Sequence, residues 1–222
     1  MNKIQVVKIG ASSLIQDEKI NEKFLDDIAC DVWKLRQEQI SSLLVISGAI
    51  KLGMAILGYK EQPNDDLVAL QRCACIGQPR LVGLYDKAFK KYGVITSQLL
   101  VTYHNLDDRV EEENIIRRLK DDINHDIVTL VNYNDGIDNK GIGIYDDKGR
   151  IRVRDNDMLA SAIARYVKAD ILVILTNPNS KGTIGGRYTK KEAIRISEED
   201  GIKVLVGDFR DSLYSIIAKH NI

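Results

Sequence analysis

The chain has 222 residues, 44% hydrophobic and 29% charged, with 32 basic and 32 acidic side chains. This is the composition of a soluble globular protein, long enough to bury an ordinary core. Balanced charge gives no electrostatic case for nucleic acid or an anionic membrane. No apolar run approaches a membrane span, and the N-terminus has no signal-peptide pattern, so a cytoplasmic protein is expected.

In chain order, residues 3–9 are β-branched and read as a buried strand. Ile20, Phe24, Ile28, Val32 and Leu35 recur at helical spacing, which predicts a helix over 19–39. Residues 43–46 form a second buried strand. Gly48 then opens a helix to Leu57, closed by Gly58. Asn64 or Asp65 is placed to cap a long helix over 66–91, with a break expected near Gly77 and Pro79. One or two strand pieces follow over 94–101, a charged helix from Asp107-Asp108 to Asn124, and a strand over 127–131. Residues 136–153 are punctuated by glycine and aspartate and read as a hairpin projecting over the strand ends. The rest reads as helix 158–167, strand 171–176, loop 177–188, helix 190–199, strand 203–206 and helix 211–219. Strands alternating with helices predict one α/β domain over 1–222, with a mostly parallel sheet covered on both faces. The three cysteines, Cys30, Cys73 and Cys75, are odd in number and sit in helical surroundings. They read as reduced core thiols.

Several strand ends carry polar or glycine residues that can meet, because open α/β sheets bind ligands beyond the carboxyl ends of their strands. Lys8 ends an apolar run, where burial demands a partner such as a phosphate. The bland alternative is a lysine reaching water from a strand end. Gly10 lets the chain turn with its amides available to an anion. Ser47-Gly48-Ala49 lies between strand and helix and reads either as a site of close ligand approach or as an ordinary tight turn. In Asp155-Asn156-Asp157, a helix cap accounts for one polar residue but not three. Residues 182–190, Gly-Thr-Ile-Gly-Gly-Arg-Tyr-Thr-Lys, can cradle a phosphate or form a surface loop. Neither a Walker loop nor a Gly-x-Gly-x-x-Gly fingerprint is present.

Taken together, Val-Val-Lys-Ile-Gly at 6–10, Ser-Gly-Ala-Ile at 47–50, Ile-Gly-Gln-Pro-Arg-Leu at 76–81, Gln-Leu-Leu-Val-Thr at 98–102, Val-Asn-Tyr-Asn-Asp at 131–135, Asp-Asn-Asp-Met-Leu-Ala-Ser at 155–161, Ala-Asp-Ile-Leu-Val-Ile-Leu-Thr at 169–176 and Gly-Gly-Arg-Tyr-Thr-Lys at 185–190 occur in an order that resembles the amino acid kinase superfamily, and within it the glutamate 5-kinases. The resemblance implies a three-layer αβα sandwich and ATP-dependent phosphorylation of the side-chain carboxylate of L-glutamate, the first step of proline synthesis. By similarity, Lys8 and Lys190 bracket the transferring phosphoryl group and Asp157 orients them. Ser47, Gly48, Ala49, Asp135 and Asn156 hold the amino acid. Gly10, Thr176, Asn177, Gly185 and Gly186 join the two lysines around the nucleotide. Mg2+ is carried on the ATP phosphates, with no all-protein metal site. A carboxylate nucleophile is already ionised at neutral pH, so no general base is needed. His104, His125 and His220 all lie outside the motifs. The resemblance further implies a homo-oligomer, dimer or tetramer, acting on a small carboxylate. The RNA-binding-like (PUA) C-terminal domain of many glutamate 5-kinases is not expected within these 222 residues.

The pattern is broken in places. Thr176 is followed by Asn177-Pro178 rather than aspartate, and a stretch of the usual nucleotide segment is missing before Gly185. Arg154 replaces a glycine, and Tyr133 replaces a glutamate. These departures support a second reading, a non-catalytic or weakly active amino-acid- or nucleotide-binding regulator on the same fold.

Overall fold

The structure, a computed structural model, describes residues 2–16, 19–63, 66–137, 156–177 and 184–220, and the side chains of 184–188 fall outside that description. The expected hairpin over 136–153 lies almost wholly outside the described residues, as do Asp155 and residues 178–183.

Strand β1 (Lys3–Ile9) divides the core in two. Its side chains alternate, so Val7 and Ile9 face one helical layer while Val6 faces the other. β1 lies inside a six-stranded sheet of order β5-β6-β4-β1-β7-β8. The other strands are β4 (Ile40–Ile46), β5 (Thr96–Val101), β6 (Val128–Tyr133), β7 (Ile171–Thr176) and β8 (Lys203–Asp208). Every pairing in this sheet is parallel. Lys8 sits opposite Val45 of β4 and Ile174 of β7. From β1 the chain runs out to β4 on one side, and it returns to β7 on the other. The crevice above β1 is therefore where a ligand is expected in such a sheet.

One layer packs α2 (Glu22–Gln37), α3 (Ala49–Leu57), α4 (Leu67–Lys90) and α9 (Leu213–Ala218) against the sheet through Leu35, Leu52, Tyr85, Phe89 and Ile217. The other packs α6 (Arg109–Asn124), α7 (Asn156–Val167) and α8 (Ile184–Glu199) through Leu119, Leu159, Ile163 and Ile194. This is the expected three-layer αβα sandwich. Among the described residues, no helix is long and apolar enough to cross a membrane.

Several boundaries differ from the sequence expectation. The helix expected over 19–39 begins at Glu22, because β3 (Lys19–Ile20) pairs with β2 (Ile15–Gln16) and Asn21 caps α2 by accepting from the Phe24 amide. A short α1 (Ala11–Leu14) follows β1, and α5 (Tyr103–Asp107) precedes α6, whose cap is Asp108. Asp66, one residue later than expected, caps α4 by accepting from the Ala69 amide at 2.9 Å.

The break expected near Gly77 and Pro79 does not occur, and α4 runs unbroken through both. A helix-interior proline costs about 3 kcal/mol. Packing on both sides of it offsets that cost. Leu70 and Cys73 are buried before it, and Leu81, Tyr85 and Phe89 after it. Gly77 and Gly53 bring α4 and α3 into backbone contact: a Cβ on Gly77 would stand 1.8 Å from the Ala49 carbonyl oxygen, and one on Gly53 1.8 Å from that of Cys73. The thiols also divide. Cys73 is buried, Cys30 is half-buried, and Cys75 is exposed rather than core.

Candidate active site

Lys8 is the next-to-last residue of β1, and Asp157 lies in the first turn of α7. Their charged groups meet at 2.7 Å, with the Lys8 side chain 10% exposed and that of Asp157 1%. A buried ammonium of this kind is tolerated because the carboxylate is aimed at it. The bland alternative of a lysine reaching into water is thereby excluded. A Cβ placed on Gly10 would stand 3.9 Å from the Lys8 Nζ, so the amine lies just over the turn that ends β1.

The end of β4 supplies the second part. Gly48 has φ of 125° and precedes α3. That backbone suits glycine and lets Ser47 and Ala49 leave the strand in different directions. Asn156 opens α7, yet its side-chain NH2 goes to the strand ends: to the Ile46 carbonyl at 2.8 Å, Ser47 Oγ at 2.6 Å and Asn132 Oδ1 at 3.0 Å. Asn132, 2% exposed on β6, donates in turn to Gln78 Oε1 of α4 at 2.9 Å. Four elements are thus tied by one run of amide hydrogen bonds.

Two cavities flank this run. One of about 160 Å³ is bounded by Ser47, Gly48, Lys51, Asn132, Asp135 and Asn156. The other, about 250 Å³, is bounded by Cys75, Gln78, Gln98, Tyr133, Asn134 and Asp135. Asp135 and Ala49 belong to both walls. Ser47, Gly48, Ala49, Asp135 and Asn156 are therefore brought together around one space. Gln78 and Asn132 received no role in the sequence reading. Their signal is a polar residue on the core-facing side of a helix and another at the end of an apolar strand.

The third part lies at the end of β7. Lys190 Nζ donates to Thr176 Oγ1 at 3.0 Å. Thr176 stands one position beyond the Ile9–Leu175 pair, beside Gly10, so the two lysines are anchored on neighbouring strand ends. Asp157 holds Lys8, and Thr176 holds Lys190. The expected loop over 177–188 is corrected, since α8 already begins at Ile184. Gly185 and Gly186 are in its first turn, where backbone N–H groups have no intrahelical partner. Asn177 directly follows Thr176.

A larger cavity, about 630 Å³, lies between α2 and the turn after β8 and shares no wall residue with this centre. Among its charges Lys23 pairs with Asp27, Lys34 with Asp31, and Arg210 with the neighbouring Asp208. Asp31 also accepts from Ser212 Oγ at 2.7 Å and the Tyr214 amide at 3.2 Å. That pattern joins α9 to α2 and is structural.

The profile of the amino acid kinase family matches residues 3–179. The chain belongs to the amino acid kinase family. It is 34% identical over 212 residues to a glutamate 5-kinase of Thermoanaerobacter pseudethanolicus, covering 95% of this chain and 52% of that protein. It is 35% identical over 175 residues to a glutamate 5-kinase of Hydrogenovibrio crunogenus, covering 78% and 44%. The chain thus spans about half the length of the curated relatives it matches. Its fold is similar to that of UMP kinase from Ureaplasma parvum, with a TM-score of 0.62 at 14% identity over 99% of this chain and 96% of that one. An isopentenyl phosphate kinase gives a TM-score of 0.61 at 13% identity over 98% and 96%. At such low identity these two likenesses concern the fold alone.

Proposed function

We propose that this amino acid kinase family member transfers the terminal phosphoryl group of ATP to the side-chain carboxylate of L-glutamate. The observation that carries the reading is the Lys8–Asp157 pair, 2.7 Å apart and buried at the carboxyl end of an inner strand, beside the cavity walled by Ser47, Asp135 and Asn156. The glutamate 5-kinase relatives support the choice of substrate.

The residues present suit the phosphate end of a nucleotide. Two amines fixed on adjacent strand ends, with glycines at the end of β1 and in the first turn of α8, form an anion-favouring surface. ATP supplies the phosphoryl group, and Mg2+ rides on its phosphates. Lys8 and Lys190 offset the negative charge that spreads over the phosphoryl oxygens during transfer. Asp157 keeps the Lys8 amine aimed, and Thr176 does the same for Lys190. Ser47, Asp135 and Asn156 hold the amino acid so that its carboxylate faces the donor. Positioning and charge stabilisation carry the reaction, and no side chain has to accept a proton.

Incubation of the protein with ATP, Mg2+, L-glutamate and hydroxylamine tests the proposal. Glutamyl hydroxamate is expected, from capture of the acyl phosphate. ADP release without hydroxamate would redirect the search to another acceptor. Binding of both ligands with no product would favour the regulator reading. We further propose a homo-oligomer. Ile56, Leu57 and Val68, exposed on the packed pair α3 and α4, supply apolar surface for it, and light scattering measures the assembly size.

A further inference from the structure

We propose that Gln78 reads a carboxylate oxygen of the acceptor, donating its side-chain amide into the cavity it shares with Asp135. The inference rests on that cavity being the acceptor pocket.

The run of amides fixes which end of Gln78 is committed to Asn132 and which is left over. It begins at the Ile46 carbonyl, which can only accept, so Asn156 must present its NH2 there, at 2.8 Å. The same NH2 lies 3.0 Å from Asn132 Oδ1, and Ser47 Oγ at 2.6 Å shares it. Asn132 then has only its own NH2 left for Gln78, whose Oε1 accepts at 2.9 Å. Turning any one amide over would set NH2 against NH2 or oxygen against oxygen. Gln78 therefore offers its Nε2 protons away from the relay.

That nitrogen is buried and has no hydrogen-bond partner among the described residues. The residue is 8% exposed and lines the cavity of about 250 Å³ together with Asp135. A buried donor without an acceptor is destabilising, and a ligand oxygen removes that cost. A wall with an amide donor on α4 and a carboxylate just beyond β6 suits a ligand carrying both an oxyanion and an ammonium. An amino acid has both. Gln78 adds selectivity rather than chemistry, because a site that donates to a ligand oxygen disfavours ligands lacking one.

The test is Gln78→Glu, which keeps an oxygen for Asn132 and replaces only the NH2 that the relay leaves unpartnered. Calorimetry is run separately with L-glutamate and with a non-hydrolysable ATP analogue. Glutamate affinity is expected to fall about tenfold or more at neutral pH, while affinity for the analogue stays within about twofold of the unsubstituted protein. The loss should shrink as pH is lowered enough to protonate the introduced carboxyl, which restores a donor. Gln78→Met serves if the first variant unfolds, with the same split between ligands. Unchanged glutamate affinity, or equal losses for both ligands, would overturn the inference while leaving the kinase reading in place. If the unsubstituted protein binds neither L-glutamate nor other amino acids, the acceptor-pocket reading falls, and this inference with it.

Discussion

The two halves of the candidate site handle their ligands by different physics. Around Lys8, Asp157, Lys190 and Thr176, the chain spends buried charge. Around Gln78, Asn132, Asn156 and Ser47 it uses neutral amides and a hydroxyl. A charged centre acts on an anion whose charge shifts during reaction, so it governs rate. A relay of neutral hydrogen bonds sets which donors and acceptors a ligand must match, so it governs affinity and choice. If this division is right, substitutions in the two halves should separate turnover from acceptor binding.

The largest effect is expected at Lys8. Lys8→Met should lower kcat by about 10²–10³-fold and take the Lys8 cation away from the buried Asp157 carboxylate. The stability cost is about 3–5 kcal/mol, measurable by denaturant unfolding. Adding Asp157→Asn should restore much of the stability and none of the turnover. Recovery of turnover in the double variant would mean the pair is structural only.

Gly77→Ala comes next. Its new methyl group would collide with the Ala49 carbonyl at 1.8 Å, so α3 must move off α4. A destabilisation of about 1–3 kcal/mol is expected, together with weaker binding of glutamate than of nucleotide, because α3 and α4 wall only the acceptor half. Equal loss of both ligands would blur the division.

Thr176→Val removes the hydrogen-bond acceptor of Lys190. A fall in kcat of about five- to tenfold is expected, with glutamate affinity unchanged. Steady-state kinetics beside calorimetry checks both numbers. The smallest perturbation is chemical. Cys75 is exposed on the cavity it shares with Gln78, while burial pushes the Cys73 thiol up. Iodoacetamide should label Cys75 first, and glutamate should slow that labelling more than an ATP analogue does. Peptide mass mapping reads the order.

How much of this was legible in the sequence follows the same division. β1 and β7 were readable to the residue, because buried parallel strands are unbroken apolar runs. Lys8 stood out as a charge at the end of such a run, and Asp157 as a carboxylate at the start of an apolar helix. The relay did not stand out, since Gln78 and Asn132 meet across 54 residues of sequence only after β6 takes its place beside β4. The unbroken course of α4 was hidden for a related reason. Its support comes from α3, whose backbone approaches through Gly53 and Gly77, and a proline read in isolation signals a break. The early start of α8 was masked by glycines, which resemble a loop until the turn is seen to be helical.

The most direct measurement compares glutamyl hydroxamate formation by the unsubstituted protein and by Lys8→Met with Asp157→Asn, under ATP, Mg2+ and glutamate concentrations that saturate both. Transfer centred on the Lys8 amine requires product from the first and essentially none from the second, with glutamate bound by each. Comparable product from both, or from neither although both bind their ligands, would contradict it.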